Sequence, residues 1–187
     1  AKNIKYNYKA FKDREIIGQS TQEVLKKRKA LCGEYATLFA EMCAAIDLPA
    51  EVVNGYTKDF DFFAKDTLYR AEHAWSIVRV NGVWKLLDLT YASGYIGPKK
   101  QLFQRFMAAA FKVRYEQKFK FIQKFQPQWL WVAPDEFIFT HFPNLDCFQL
   151  LETPVPMNIY REGNWAIYNH LAWHFEVLGQ SGAVDLH

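Results

Sequence analysis

At 187 residues the chain is long enough for one substantial core, or one core with a small appendage. Half of it is hydrophobic and 17% aromatic, which excludes a disordered chain, and a net charge of +3 is too small to point to nucleic acid. No apolar run approaches the roughly 18 residues of a membrane-spanning helix, and three cysteines do not make a disulfide framework.

Residues 1 to 18 carry no clear periodicity. Ser20-Thr-Gln-Glu23 is a capping box, and Val24 to Ala30 contains no breaker, so local propensity permits one helix from 21 to 47. That helix would hold Cys32 at mid-length as an inert thiol. The other reading starts a helix at or near Cys32, with apolar residues at helical spacing at Tyr35, Leu38, Phe39, Met42 and Ile46 before Pro49 stops the pattern. A thiol at a helix N-terminus feels the positive end of the macrodipole, which favours thiolate, and the free backbone N–H groups there can receive an oxyanion. Cys43 and Cys147 lack that setting and read as structural thiols. Glu51 to Lys58 reads as a strand, and Asp59 to Leu68 as a loop with a charged, aromatic face bordering a cleft.

The most informative local feature comes next. Ala71 to Val80 and Val83 to Tyr91 are two runs rich in β-formers joined by Asn81-Gly82, the pair that a type I′ hairpin turn requires. With Asn81 and Gly82 as the loop, Val80 faces Val83, Trp75 faces Asp88 and His73 faces Thr90. Side chains alternate between faces, so His73, Trp75, Asp88 and Thr90 share one face. Asp88 is then the diagonal neighbour of His73, at roughly 7 Å between Cβ atoms. A one-residue slip would put the two on opposite faces.

From Lys99 to Lys124 basic residues dominate, with aromatics between them. Phe111, Tyr115 and Phe119 recur every fourth residue, which favours a helix with a buried aromatic stripe and a solvated basic face over a nucleic-acid surface. His170 and His174 have the spacing of zinc ligands on a helix, but Leu171 stands where a zinc protease carries its glutamate, and no third ligand is evident. No metal and no cofactor are expected.

Cys32-Gly-Glu-Tyr-Ala-Thr-Leu-Phe, Gly55-Tyr56, His73-Ala-Trp75 and Trp84-Lys-Leu-Leu-Asp88-Leu-Thr90, in this order, resemble the core of the transglutaminase-like superfamily. Ile4-Lys-Tyr-Asn-Tyr8 resembles that family's lead-in. Pro134-Asp-Glu-Phe-Ile-Phe-Thr-His-Phe-Pro143 and Gln149-Leu-Leu151 are similar to the branch, bacterial and animal, typified by kyphoscoliosis peptidase. The resemblance implies an α+β, papain-like fold in which a helix carrying Cys32 packs on an antiparallel sheet carrying His73 and Asp88, with a chain break before Cys32. It implies a Cys32, His73 and Asp88 catalytic triad that attacks a protein or peptide carbonyl, with peptide hydrolysis as the first choice. Protein-glutamine crosslinking, an N-glycan amidase and an inactive scaffold domain are the alternatives. His141 falls in a family motif outside the triad and is expected to be structural.

The family often has glycine two positions before the cysteine and two after; here these are Ala30 and Glu34, with glycine at Gly33. Animal transglutaminases also place an oxyanion-binding tryptophan before the cysteine. Residues 1 to 31 have none, leaving Gln19 and Gln22 as weak substitutes. The expected organisation is a catalytic domain over 1–152 and an extension over 153–187 that packs on the core or opens a second module. Bacterial relatives are often exported, and the chain starts at Ala1 rather than methionine, so periplasm, cell surface or secretion is expected over cytoplasm.

Overall fold

The structure is a computed structural model and describes residues 1–15, 18–58, 73–99, 110–111 and 118–162. In chain order its elements are β1 (Lys5–Tyr6), α1 (Tyr8–Asp13), α2 (Thr21–Lys27), β2 (Lys29–Ala30), α3 (Cys32–Ala44), β3 (Ala50–Thr57), β4 (His73–Val80) and β5 (Val83–Leu87). There follow α4 (Leu89–Ser93), β6 (Gly94–Pro98), β7 (Phe119–Gln123), β8 (Leu130–Val132), α5 (Pro134–Phe137), β9 (His141–Pro143) and α6 (Met157–Glu162). The fold is α+β: a five-stranded antiparallel sheet in the order β8-β5-β4-β3-β9, with α3 against β3 and β4.

The break before Cys32 is real, and the continuous helix is not. The capping box at Ser20 forms with both of its bonds, but the helix ends at Lys27 and Arg28 takes the left-handed conformation at φ 55°. Lys29–Ala30 then pairs in parallel with Lys5–Tyr6, and the Lys5 and Asn7 N–H groups donate to the Arg28 and Ala30 carbonyls at 2.9 Å. Helix propensity is a weak prior beside such pairing. The chain restarts as α3 with Cys32 as its first residue.

The stripe that α3 buries differs from the periodic one. Tyr35, Ala36, Leu38 and Cys43 are buried, and Cys43 joins Val78 and Leu87 of the sheet in one cluster with Phe39 and Leu48. Met42 (60% exposed) and Ile46 (71%) face outward. The helix stops at Ala44, Asp47 turns left-handed at φ 55°, and the Leu48 N–H donates back to Cys43, so Leu48 rather than Ile46 covers the core. Such a left-handed residue just past a helix end is a common stop.

The hairpin register is the one the turn demands. Asn81 and Gly82 both have positive φ (51° and 80°), and Val80 pairs with Val83, Ile77 with Leu86 and Ser76 with Leu87. The second strand is shorter than its β-forming run: it ends at Leu87, because the Asp88 side chain accepts the Tyr91 N–H and caps α4. Thr90 is therefore helical and does not face His73. On the sheet face away from α3, Val53, Trp75, Ile77, Leu86, Val132 and Phe137 form the second core cluster.

Phe119 opens β7, which pairs with β6, and is 47% exposed; Phe111 is exposed as well. The expected buried aromatic stripe is thus a strand at its C-terminal end, and Tyr115 lies outside the described residues. So do the whole of the 59–68 loop reading, His170 and His174. Residues 153–162 lie against the core: Tyr160 of α6 is buried beside Ile138 and Phe142, and Lys58 Nζ sits 4.3 Å over its ring. Among the described residues no helix is long and apolar enough to cross a membrane.

Gly55 lies where β3, β4 and β9 meet. A Cβ there would overlap the Phe142 carbonyl oxygen and the Trp75 ring, two neighbours fixed by the sheet and the core. Gly55→Ala is expected to cost about 3 kcal/mol as overpacking against backbone. Thermal unfolding of the variant checks this, and an unchanged melting temperature would contradict it.

Candidate active site

Cys32 reaches the site because two carboxylates fix the chain on either side of it. The first is Glu34, one turn into α3. Its Oε1 accepts the Gln19 backbone N–H at 2.9 Å, and its Oε2 accepts the Gln19 side-chain amide at 2.9 Å and the Leu31 N–H at 2.8 Å. The family's missing glycine is thereby replaced by an anchored turn. The Gln19 amide also donates to the Lys29 carbonyl at 3.3 Å, so both of its hydrogens have acceptors and neither is spare for an oxyanion.

The second carboxylate is Asp88, fully buried at the end of β5. Its Oδ1 accepts the Tyr91 N–H at 2.9 Å, and its Oδ2 lies 2.6 Å from His73 Nε2 and 3.1 Å from His141 Nε2. Its backbone N–H donates to the Trp129 carbonyl, which extends the sheet contact one residue past the ladder. Burial alone would push the carboxyl up. The charge on His73 and hydrogen bonds from both histidines hold it well below the usual carboxylate range.

His73 opens β4, opposite Gly55, and shares the Asp88 face with Trp75. With Nε2 on Asp88, Nδ1 is the ring nitrogen left to face the Cys32 thiol. Burial would lower the imidazole, but the Asp88 charge, its hydrogen bond and Cys32 raise it well above the ordinary histidine value. The thiol of Cys32, half-buried, answers in the opposite sense. Burial and the Asp88 charge push it up, while the His73 hydrogen bond, the His73 charge and the Ala74 backbone N–H pull it down by more. A sulfur and a ring shifted toward each other in this way favour a thiolate beside an imidazolium.

Cys43 is buried in the core, with its thiol pushed up by burial, whereas Cys147 is exposed. Sequence reasoning missed His141. It sits on β9, 53 residues from Asp88, and enters the site because β9 pairs with β3 and so lies one strand from His73. The family motif marked its segment but not its contact. Four aromatic rings surround it: Phe137 stacked at 3.9 Å, Trp75 at 5.1 Å, Tyr91 at 5.3 Å and Trp129 at 5.6 Å. That apolar box is the main reason its imidazole is lowered to about 4.

A sequence profile of the Transglutaminase-like superfamily matches residues 1–89, the stretch that holds Cys32, His73 and Asp88. That stretch is similar to the superfamily. Kyphoscoliosis peptidase of Mus musculus is 27% identical over 153 residues, which are 81% of this chain and 20% of that protein. The Homo sapiens protein of the same name is 26% identical over 180 residues, 93% of this chain and 24% of its own length. Cytokinesis protein 3 of Schizosaccharomyces pombe is 29% identical over 155 residues, covering 82% of this chain and 15% of that one. The chain therefore spans a quarter or less of the length of these relatives.

The opposed shifts of the two histidines are expected to make stability peak near pH 6.5. His73 is raised in the folded state, so its contribution is complete below its unfolded value of about 6.5 and is lost as pH rises toward its folded value. His141 is lowered to about 4, so the unfolded chain takes its proton first, and stability falls as pH drops from about 6.5 to 4. One group contributes a slope of about 1.4 kcal/mol per pH unit across its window. Urea titrations of wild type and His141→Gln from pH 4 to 7 are expected to show this acid-side slope shrinking in the variant. Parallel curves would contradict it.

Proposed function

We propose that the chain is a thiol acyl-transfer enzyme in which Cys32 is the nucleophile, His73 the proton carrier and Asp88 the residue that orients His73. The observation that carries this reading is the buried His73 Nε2–Asp88 pair at 2.6 Å, together with a half-buried Cys32 at the start of α3 whose thiol His73 pulls down. In the reaction the thiolate attacks a protein or peptide carbonyl, and a backbone N–H at the start of α3 receives the oxyanion. His73, already holding the thiol proton, gives it to the leaving amine. Asp88 accepts the Nε2–H throughout, which fixes the ring and stabilises its positive charge. Water then resolves the thioester.

Hydrolysis is preferred over amine transfer because two of the similar proteins carry the name peptidase. The paired directions of the Cys32 and His73 shifts support an active site rather than a retired scaffold, since burial alone would move both groups the other way.

Exposed Cys147 supplies an internal reference for the thiolate. At pH 6 an ordinary thiol is less than about 1% ionised. Iodoacetamide is therefore expected to label Cys32 at least about tenfold faster than Cys147 by peptide mapping. Casein cleavage by the full chain, with and without an added primary amine, reads the reaction: proteolysis is expected, with little amine incorporated. Cys32→Ala should abolish it, and His73→Ala should slow it by roughly 10²–10⁴-fold. Turnover that survives Cys32→Ala would overturn the reading.

A further inference from the structure

We infer that His141 is a positioning residue for the Cys32, His73 and Asp88 set, a second imidazole that holds the Asp88 carboxylate through a neutral Nε2–H. The inference rests on the proposed role of Cys32 as nucleophile.

The proton on His141 can be assigned from its partners. An ionised carboxylate only accepts hydrogen bonds, so His141 Nε2, 3.1 Å from Asp88 Oδ2, must carry hydrogen. Its Nδ1 lies 2.7 Å from Thr140 Oγ1, and in a neutral ring that nitrogen accepts the Thr140 hydroxyl hydrogen. The same hydroxyl is 3.2 Å from the Phe137 carbonyl, so a charged His141 would still find partners. Charge is what the surroundings refuse. The ring is fully buried, boxed by Phe137, Trp75, Tyr91 and Trp129, and its centroid is 5.7 Å from that of His73, which already carries the positive charge. The titratable groups facing it are Asp88, His73 and Tyr91, with Cys32 beyond His73.

One carboxylate oxygen therefore serves two rings with different duties. His73 needs it as a counter-ion, and His141 satisfies the lone pair that His73 leaves open. Without that donor Oδ2 would keep an unpaired lone pair in a dry site, and Asp88 would take up a proton at a higher pH. Protonation of Asp88 removes the reason for His73 to be charged, and Cys32 loses its thiolate in turn.

The test is the pH dependence of Cys32 alkylation in the full chain, read by peptide mapping with iodoacetamide from pH 4 to 8. It is run on wild type, His141→Phe, His141→Gln and Thr140→Val, with folding checked by circular dichroism. His141→Phe keeps the ring stack but lacks the donor, and its Cys32 midpoint is expected about one pH unit above wild type. On casein its kcat is expected to fall at least about tenfold with KM little changed. His141→Gln can donate again and should recover most of both. Thr140→Val, which leaves His141 in place but frees its tautomer, should shift the midpoint the same way by a smaller amount, and it reads the proposal if His141→Phe does not fold. Midpoints equal to wild type in His141→Phe and Thr140→Val, or an equal shift in the Phe and Gln variants, would overturn the positioning role while fast Cys32 labelling in wild type left the nucleophile standing. Wild-type Cys32 that labels no faster than Cys147 would overturn both.

Discussion

A single buried carboxylate holds this molecule's architecture and its chemistry together. Asp88 has no exposed surface, yet three N–H groups from three elements point at it: Tyr91 from α4, His73 from β4 and His141 from β9. A lone buried charge would cost several kcal/mol, and it is kept because each oxygen is satisfied and a positive ring lies beside it. The same atoms that cap a helix and bind β9 toward β4 also raise the His73 imidazole, and it is that ring which lowers the Cys32 thiol. Any change that moves Asp88 is therefore felt in fold and reactivity at once.

Glu34 plays the corresponding part at the other end of the thiol. By taking two N–H groups from Gln19 and one from Leu31, it ties the segment before α2 to the turn that starts α3. Cys32 is thus placed between two anchored carboxylates, one fixing the helix start and the other fixing the ring that meets the sulfur. The residue that departs from the family's glycine pattern is the one that holds the turn.

What could be read from the chain depended on how local its cause was. The Asn81-Gly82 turn set the β4–β5 register by itself, and that register alone put His73 and Asp88 on one face. The place where the second strand stops could not be seen that way, because Asp88 leaves the ladder to cap α4, a choice made by a side chain rather than by strand propensity. The end of α2 at Lys27 is likewise set from outside the helix, by the pairing of Lys29–Ala30 with Lys5–Tyr6. His141 was the least legible. It is brought in by a strand far along the sequence, and its neutral, boxed ring has no local signature beyond a histidine amid aromatics.

The most direct measurement of the central claim is long-range ¹H–¹⁵N NMR of the imidazole nitrogens across pH 5 to 8, with the rings assigned by single substitutions. The account predicts that His73 remains an imidazolium through this range and that His141 remains a neutral ring protonated on Nε2. Two rings that both titrate near the ordinary value of about 6.5 would contradict it, since Asp88 would then be distinguishing neither of its partners.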